Sequence, residues 1–205
     1  MPLSESSLVT PRVILDRLPD QFRRYTLSTL SDRSKEIDKA THAAKMGKWL
    51  FFTGSPGTGK THFGCGVLRM LAQEMSQMKV PPINGSITPD IRLRLVSSCE
   101  FFLEIKESYG SDRNGEKEVL GRYSHGTDVL LLDDVGAEKV SEWSRQLFYL
   151  LIDRRYRGCL QTIITSNLSL AQMSAMMDDR IASRIAETGV VIDLGKKDWR
   201  VTHHA

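Results

Sequence analysis

The chain has 205 residues, 40% hydrophobic and 26% charged, the balance of an ordinary soluble globular protein whose core needs no disulfide or metal staple. A net charge of +3 allows nucleic-acid contact without arguing for it, because a dedicated binder concentrates its basic residues more densely. Cys65, Cys99 and Cys159 lie far apart with no Cys-x-x-Cys spacing, which argues against a disulfide framework and a zinc site and fits a reducing cytoplasm.

Residues 1–18 are polar and Ser-rich around Pro2 and Pro11, and read as a loosely ordered arm. Glu5, Arg12, Asp16, Arg17 and Asp20 leave no apolar signal core there. No apolar run approaches the ~20 residues of a membrane helix. Residues 19–46 read as mostly helical, with Ile37, Ala40 and Ala44 at helical spacing. Short apolar runs then alternate with longer helical stretches. Trp49–Thr53 reads as a compact strand, followed by a helix over 60–78 and a Pro/Gly loop over 81–86. The stretch 91–96 reads as a second strand, and its Arg92/Arg94 alternation predicts an edge or half-exposed position. Residues 100–109 read as helix, 110–115 as a break, and 129–132 as a buried strand. The 142–156 stretch is an amphipathic helix with Leu147, Leu150, Leu151 and Tyr156 on its apolar side. Residues 162–166 and 190–194 are the last strands. This alternation predicts an α/β domain with a mainly parallel sheet.

Gly54-Ser55-Pro56-Gly57-Thr58-Gly59-Lys60-Thr61 matches G-x-x-x-x-G-K-[ST], after a strand and opening a helix. The glycines let successive backbone N–H groups point into one concavity, and the helix start adds its positive end. Lys60 would meet the β- and γ-phosphates of ATP, and the Thr61 hydroxyl would coordinate Mg²⁺. His62 follows directly and joins the nucleotide-binding candidates.

Leu130-Leu131-Leu132-Asp133-Asp134 is an apolar strand ending in two carboxylates. Burying it beside the first strand would bring those carboxylates to the phosphate loop, where ligands bind in open α/β sheets. Asp133 would hold Mg²⁺, directly or through water, and Asp134 would act as general base on the attacking water. Asn167, at the tip of the 162–166 strand, can donate and accept at once, which suits a γ-phosphate sensor, although a Ser-Asn after a strand is more often a turn or cap. Arg180 and Arg184 share one helical face. They suit either an arginine finger reaching a neighbouring subunit or an exposed pair bridging to Asp178 or Asp179. Met173, Met176 and Met177 read as core filling. His203 and His204 read as a frayed end.

Taken in order, the phosphate loop, Leu-Leu-Leu-Asp-Asp-Val-Gly-Ala-Glu, Ser-Glu-Trp, Asp-Arg-Arg-Tyr, Ile-Thr-Ser-Asn-Leu-Ser and Asp-Asp-Arg-Ile-Ala-Ser-Arg-Ile resemble the DnaC/DnaI-type helicase loaders. These are AAA+ ATPases of the initiator group, and the related IstB-type transposition helpers share most of the pattern. The resemblance runs from Leu18 to Arg200 and includes Pro19-x-x-Phe22-Arg23-x-x-Thr26-Leu27. It implies a five-stranded parallel sheet of order 5-1-4-3-2, with residues 1–45 as arm and lead-in and 46–205 as the ATPase domain. It implies Walker A ligands at Lys60 and Thr61, a Walker B pair at Asp133 and Asp134, sensor 1 at Asn167, and an arginine finger at Arg184 assisted by Arg180. It also implies nucleotide-dependent homo-oligomers and single-stranded DNA contact through 100–124, where Lys106, Arg113, Lys117 and Arg122 are the basic residues. Loaders carry a separate helicase-gripping domain, whereas about 18 residues precede the match here. No lid domain is expected after Asp198-Trp199-Arg200, and the stretch 78–90 is longer than the usual connection.

The leading expectation is a cytoplasmic ATPase acting as a nucleotide switch on DNA with a replicative helicase partner. A transposition helper serving a transposase is the second, and a small-molecule kinase using the same loop the third.

Overall fold

The structure is a computed structural model and describes residues 8–16, 18–30, 32–84, 87–109, 114–137 and 140–199. Arg113, His203 and His204, and most of the expected 110–115 break, lie outside the described residues. Six strands, β1 (Arg12–Asp16), β2 (Trp49–Thr53), β3 (Asp90–Ser97), β4 (Val129–Val135), β5 (Gln161–Ser166) and β6 (Gly189–Asp193), form one sheet in the order β1-β3-β4-β5-β2-β6. Every pairing between these six strands is parallel. Counted from the phosphate-loop strand, this is the implied 5-1-4-3-2 order with β1 added outside the second strand.

Strand period explains the two cores. Trp49 and Phe51 face one side of β2, Leu50 and Phe52 the other, and β4 divides in the same way into Leu130/Leu132 and Val129/Leu131. Helices α1 (Ser34–Lys45) and α2 (Lys60–Met75) cover the second side, their contribution being Ala40, Ala43, Ala44, Phe63, Val67, Leu68 and Leu71. Helices α3 (Ser98–Ser108), α4 (Gly115–Tyr123), α5 (Glu142–Arg157), α6 (Leu170–Met176) and α7 (Asp179–Thr188) cover the first. Capping boxes at Ser97, Ser141 and Ser169 start α3, α5 and α6.

Several expectations change. Part of the arm, Arg12–Asp16, is a strand paired with β3, so Arg92 and Arg94 lie on an internal strand rather than at an edge, although Arg92 is exposed and Arg94 partly exposed, as the alternation also allowed. The pairing uses those arginines and their neighbours. Arg12 grips Asp90 through two hydrogen bonds of 2.9 and 2.8 Å, and Arg94 donates to Asp16 at 3.1 Å. Residue Val80, in the long 78–90 connection, bridges Val9 antiparallel. The buried face of α5 is Leu147, Phe148, Leu151 and Ile152, whereas Leu150 is exposed. Met173 and Met177 are core residues as expected, but Met176 is exposed. Among the described residues, no helix is long and apolar enough to cross a membrane.

Candidate functional site

A parallel sheet sends the carboxyl ends of all its strands to one rim. The chain leaves β2 there through Gly54-Ser55-Pro56-Gly57-Thr58-Gly59 and enters α2 at Lys60. Gly59 takes a left-handed φ of 89° and Gly57 a φ of 78°, which L side chains resist. A Cβ on Gly57 would also overlap the Asp198 carboxylate, 2.0 Å from its Oδ1. Helix α2 starts at this loop, and a helix start presents backbone N–H groups and a positive dipole end to an anion. The Lys60 ammonium is almost buried and donates to the Gly54 and Ser55 carbonyls, both at 2.9 Å.

The acidic pair does not come from the adjacent strand. Strand β5 lies between β2 and β4, yet the Thr61 hydroxyl reaches Asp133 Oδ2 at 3.1 Å. The Thr165 hydroxyl on β5 donates to Asp133 Oδ1 at 2.6 Å and accepts from the Asp134 N–H at 2.8 Å. Burial holds the Asp133 carboxyl above the usual carboxylate range, against the hydrogen bonds from Thr165 and Thr61. A cation at this carboxylate would offset that burial, so the donor set fits a magnesium–triphosphate.

Two consecutive strand residues normally point to opposite faces. Here the register slips between Leu132 and Val135, where three steps on β4 oppose two on β5. Asp134 takes up the extra residue in a left-handed conformation, φ 56°. Both carboxylates thereby line one cavity, and Asn167 Nδ2 donates to Asp134 Oδ1 at 3.2 Å. Strain of this kind in a non-glycine residue collects at working sites.

A family model described as IstB-like ATP binding protein matches residues 43–191. The chain belongs to this family. The replicative helicase loader DnaC of Buchnera aphidicola subsp. Baizongia pistaciae is 23% identical over 167 residues, covering 80% of this chain and 62% of the relative. The chain thus spans less than two thirds of that relative's length. Among solved structures, the DnaC helicase loader superposes with a TM-score of 0.64 at 24% identity, over 85% of this chain and 99% of that one. DnaI superposes with a TM-score of 0.65 at 25% identity, over 88% and 96%. The fold is therefore the AAA+ core of the helicase loaders.

In this IstB-like chain the cavity holds about 670 Å³ and is lined by Pro56, Gly57, Thr58, Gly59, Lys60, Thr61, His62, Asp133, Asp134 and Asn167 among the expected residues. Gly54 and Ser55, also expected there, do not line it; their carbonyls accept from the Lys60 ammonium. His62 has a structural duty as well. Its Nε2 donates to the Thr26 carbonyl at 3.0 Å and its ring stacks on Tyr25 at 4.4 Å, tying the lead-in segment to α2. Burial pushes the His62 pKa down, which favours the neutral imidazole.

Arg180 and Arg184 do not line the cavity. Arg180 is exposed and held by Asp178, at 2.9 and 2.8 Å, over the Tyr149 ring. This is the carboxylate partner foreseen in the bridging alternative. Arg184 is partly buried, pairs with Asp153 at 2.5 Å, and lies against the rings of Tyr149 and Tyr156.

The sequence reading missed Phe22, Tyr25, Leu30, Arg33 and Trp199, all of which line the cavity. The lead-in pattern around Phe22 and Thr26 was visible but carried no site role. Nothing in the local spacing marks Trp199, whose placement depends on where β6 ends.

Proposed function

We propose that this protein binds and hydrolyses Mg²⁺-ATP and uses the nucleotide state to control a DNA-bound partner. The observation that carries the reading is the convergence of Lys60, Thr61, Asp133, Asp134 and Asn167 on one cavity at the rim of the sheet. The P-loop N–H groups and Lys60 bind phosphate oxygens. Thr61 and Asp133 hold magnesium, which when bound draws charge from the phosphate oxygens. Asp134, with Asn167 fixing one carboxylate oxygen, orients and deprotonates the attacking water.

Arg184 acts in trans as a finger on a neighbouring subunit's site, and leaving Asp153 accompanies that assembly. Turnover per chain is then expected to rise with protein concentration. Arg184→Ala should flatten that rise and leave ATP affinity within about twofold of wild type. A steep rise that persists in Arg184→Ala removes the finger assignment.

The DnaC and DnaI likeness supports a helicase-loading role with single-stranded DNA held near α3 and α4. Lys106 there lies 5.2 Å from the Trp143 ring, and Leu103 and Tyr109 are exposed. The IstB-like family match favours a second reading, a helper that hands duplex DNA to a transposase. Asp134→Asn with saturating Mg²⁺-ATP should trap the ATP-state complex, and capture from native lysate followed by mass spectrometry separates the readings. A replicative helicase in the eluate supports loading. A transposase, with preference for duplex over single-stranded DNA, replaces that reading with the helper.

A further inference from the structure

We infer that Trp199 is a nucleoside-binding residue, held as a wall of the cavity by a strap that the P-loop itself anchors. The inference deepens the ATP-binding reading and rests on it. Once the phosphates occupy the Gly57–Thr61 cradle, the nucleoside has to lie against the rest of the lining. That remainder is of another kind, with Phe22, Tyr25, Leu30 and Trp199 supplying aromatic and aliphatic surface, and Asp32 and Arg33 adding charge. A cavity of about 670 Å³ has the size of a small-molecule site built in this mixed way.

Strap residues 194–199 run directly from β6 across the back of the P-loop. Leu194 N–H donates to the Thr53 carbonyl at 2.8 Å, and Ser55 N–H donates to the Gly195 carbonyl at 3.0 Å. Trp199 N–H then donates to the Gly57 carbonyl at 3.0 Å. The indole therefore starts from a backbone position fixed to the loop that takes the phosphates. Its ring is held as well. The Lys197 ammonium lies 3.8 Å from the ring centroid and the Arg33 guanidinium 5.1 Å away. Arg33, just before α1, also donates to the Leu194 carbonyl at 3.2 Å, so the lead-in segment and the strap are fastened to each other around the cavity. A fixed aromatic ring beside a phosphate cradle offers stacking or edge contact to a base without an ordering cost at binding.

The test separates contact with the nucleoside from support of the P-loop. Calorimetric dissociation constants are measured for Mg²⁺-ATP and for magnesium tripolyphosphate, which lacks the nucleoside, on wild type, Trp199→Ala, Trp199→Phe and Lys60→Ala. Trp199→Ala should weaken ATP about tenfold and leave tripolyphosphate within about twofold, and Trp199→Phe should recover most of the loss. Equal weakening of both ligands, or no weakening of either, overturns the inference. Lys60→Ala should weaken both ligands, and its failure to weaken either would sink the ATP reading itself. Tryptophan emission covers the case of a poorly folded alanine variant. ATP should shift wild-type emission, and Trp199→Phe should lose that shift although Trp49 and Trp143 remain. A full shift surviving in Trp199→Phe overturns the inference.

Discussion

Lys60→Ala is expected to lower ATP affinity by on the order of 100-fold and to bring turnover to background. A charge-assisted hydrogen bond contributes about 1.5–3 kcal/mol, and an ammonium set between two phosphates makes at least two, so on the order of 3 kcal/mol is lost. The nearly buried ammonium points at the cradle, where the Gly54 and Ser55 carbonyls hold it. Those carbonyls sit at a rim where water can replace a lost donor, so folding stability should fall by only about 1 kcal/mol. Calorimetric titration with ATP beside a urea unfolding curve separates the two effects. Retention of wild-type affinity by a folded Lys60→Ala would remove the P-loop from the mechanism. Loss of affinity together with loss of fold would show that the lysine acts as a structural donor first.

How far such a site could be read from the residues depends on the distance over which each part is specified. The phosphate loop is local. Its glycines, lysine and threonine act within one turn between β2 and α2, and spacing alone found them. The acidic pair was found by composition, but its geometry was not legible. Alternation along β4 would point Asp133 and Asp134 to opposite faces, and only the bulge with Asp134 at positive φ turns both into the cavity. A bulge depends on the register with β5, which no local pattern in 129–135 encodes. The same holds for β1. Arg12–Asp16 has a weak strand signal on its own, and it joins the sheet through ion pairs to residues some 78 positions away. The Asp153-Arg154-Arg155-Tyr156 run shows the limit of motif reading. It marked the family, yet its members part company in the fold. Asp153 holds Arg184, Arg154 faces solvent, Arg155 is fully buried, and Tyr156 packs over Arg184.

Arg155→Leu is expected to destabilise the protein by about 4 kcal/mol, the largest stability loss of any single change outside the hydrophobic core. Arg155 is 0% exposed, and among the described residues no carboxylate oxygen is one of its hydrogen-bond partners. Its guanidinium donates instead to the carbonyls of Tyr123, Ser124, Thr127, Asp128 and Gln161 and to the Thr162 hydroxyl, at 2.6–3.2 Å. Burial pulls its pKa down to about 9, so the group still carries its charge at neutral pH. These acceptors belong to the last residue of α4, to the turn between α4 and β4 and to the start of β5. One side chain therefore closes the backbone accounting where two central strands begin. Leucine would fill part of the volume and leave that set of carbonyls without donors in a site closed to water. Lysine keeps the charge but has a single ammonium that cannot span the planar fan of acceptors, so Arg155→Lys should cost about 2 kcal/mol. Urea unfolding followed by circular dichroism reads both values. The acceptors lie at the amino ends of β4 and β5, and Asp133, Thr165 and Asn167 lie at the carboxyl ends. The folded fraction of either variant should therefore keep ATP affinity within about twofold of wild type. A loss below 1 kcal/mol in Arg155→Leu would mean that water enters and serves the carbonyls. A large loss of ATP affinity at full folding would mean that strain at the strand starts reaches the bulge at Asp134.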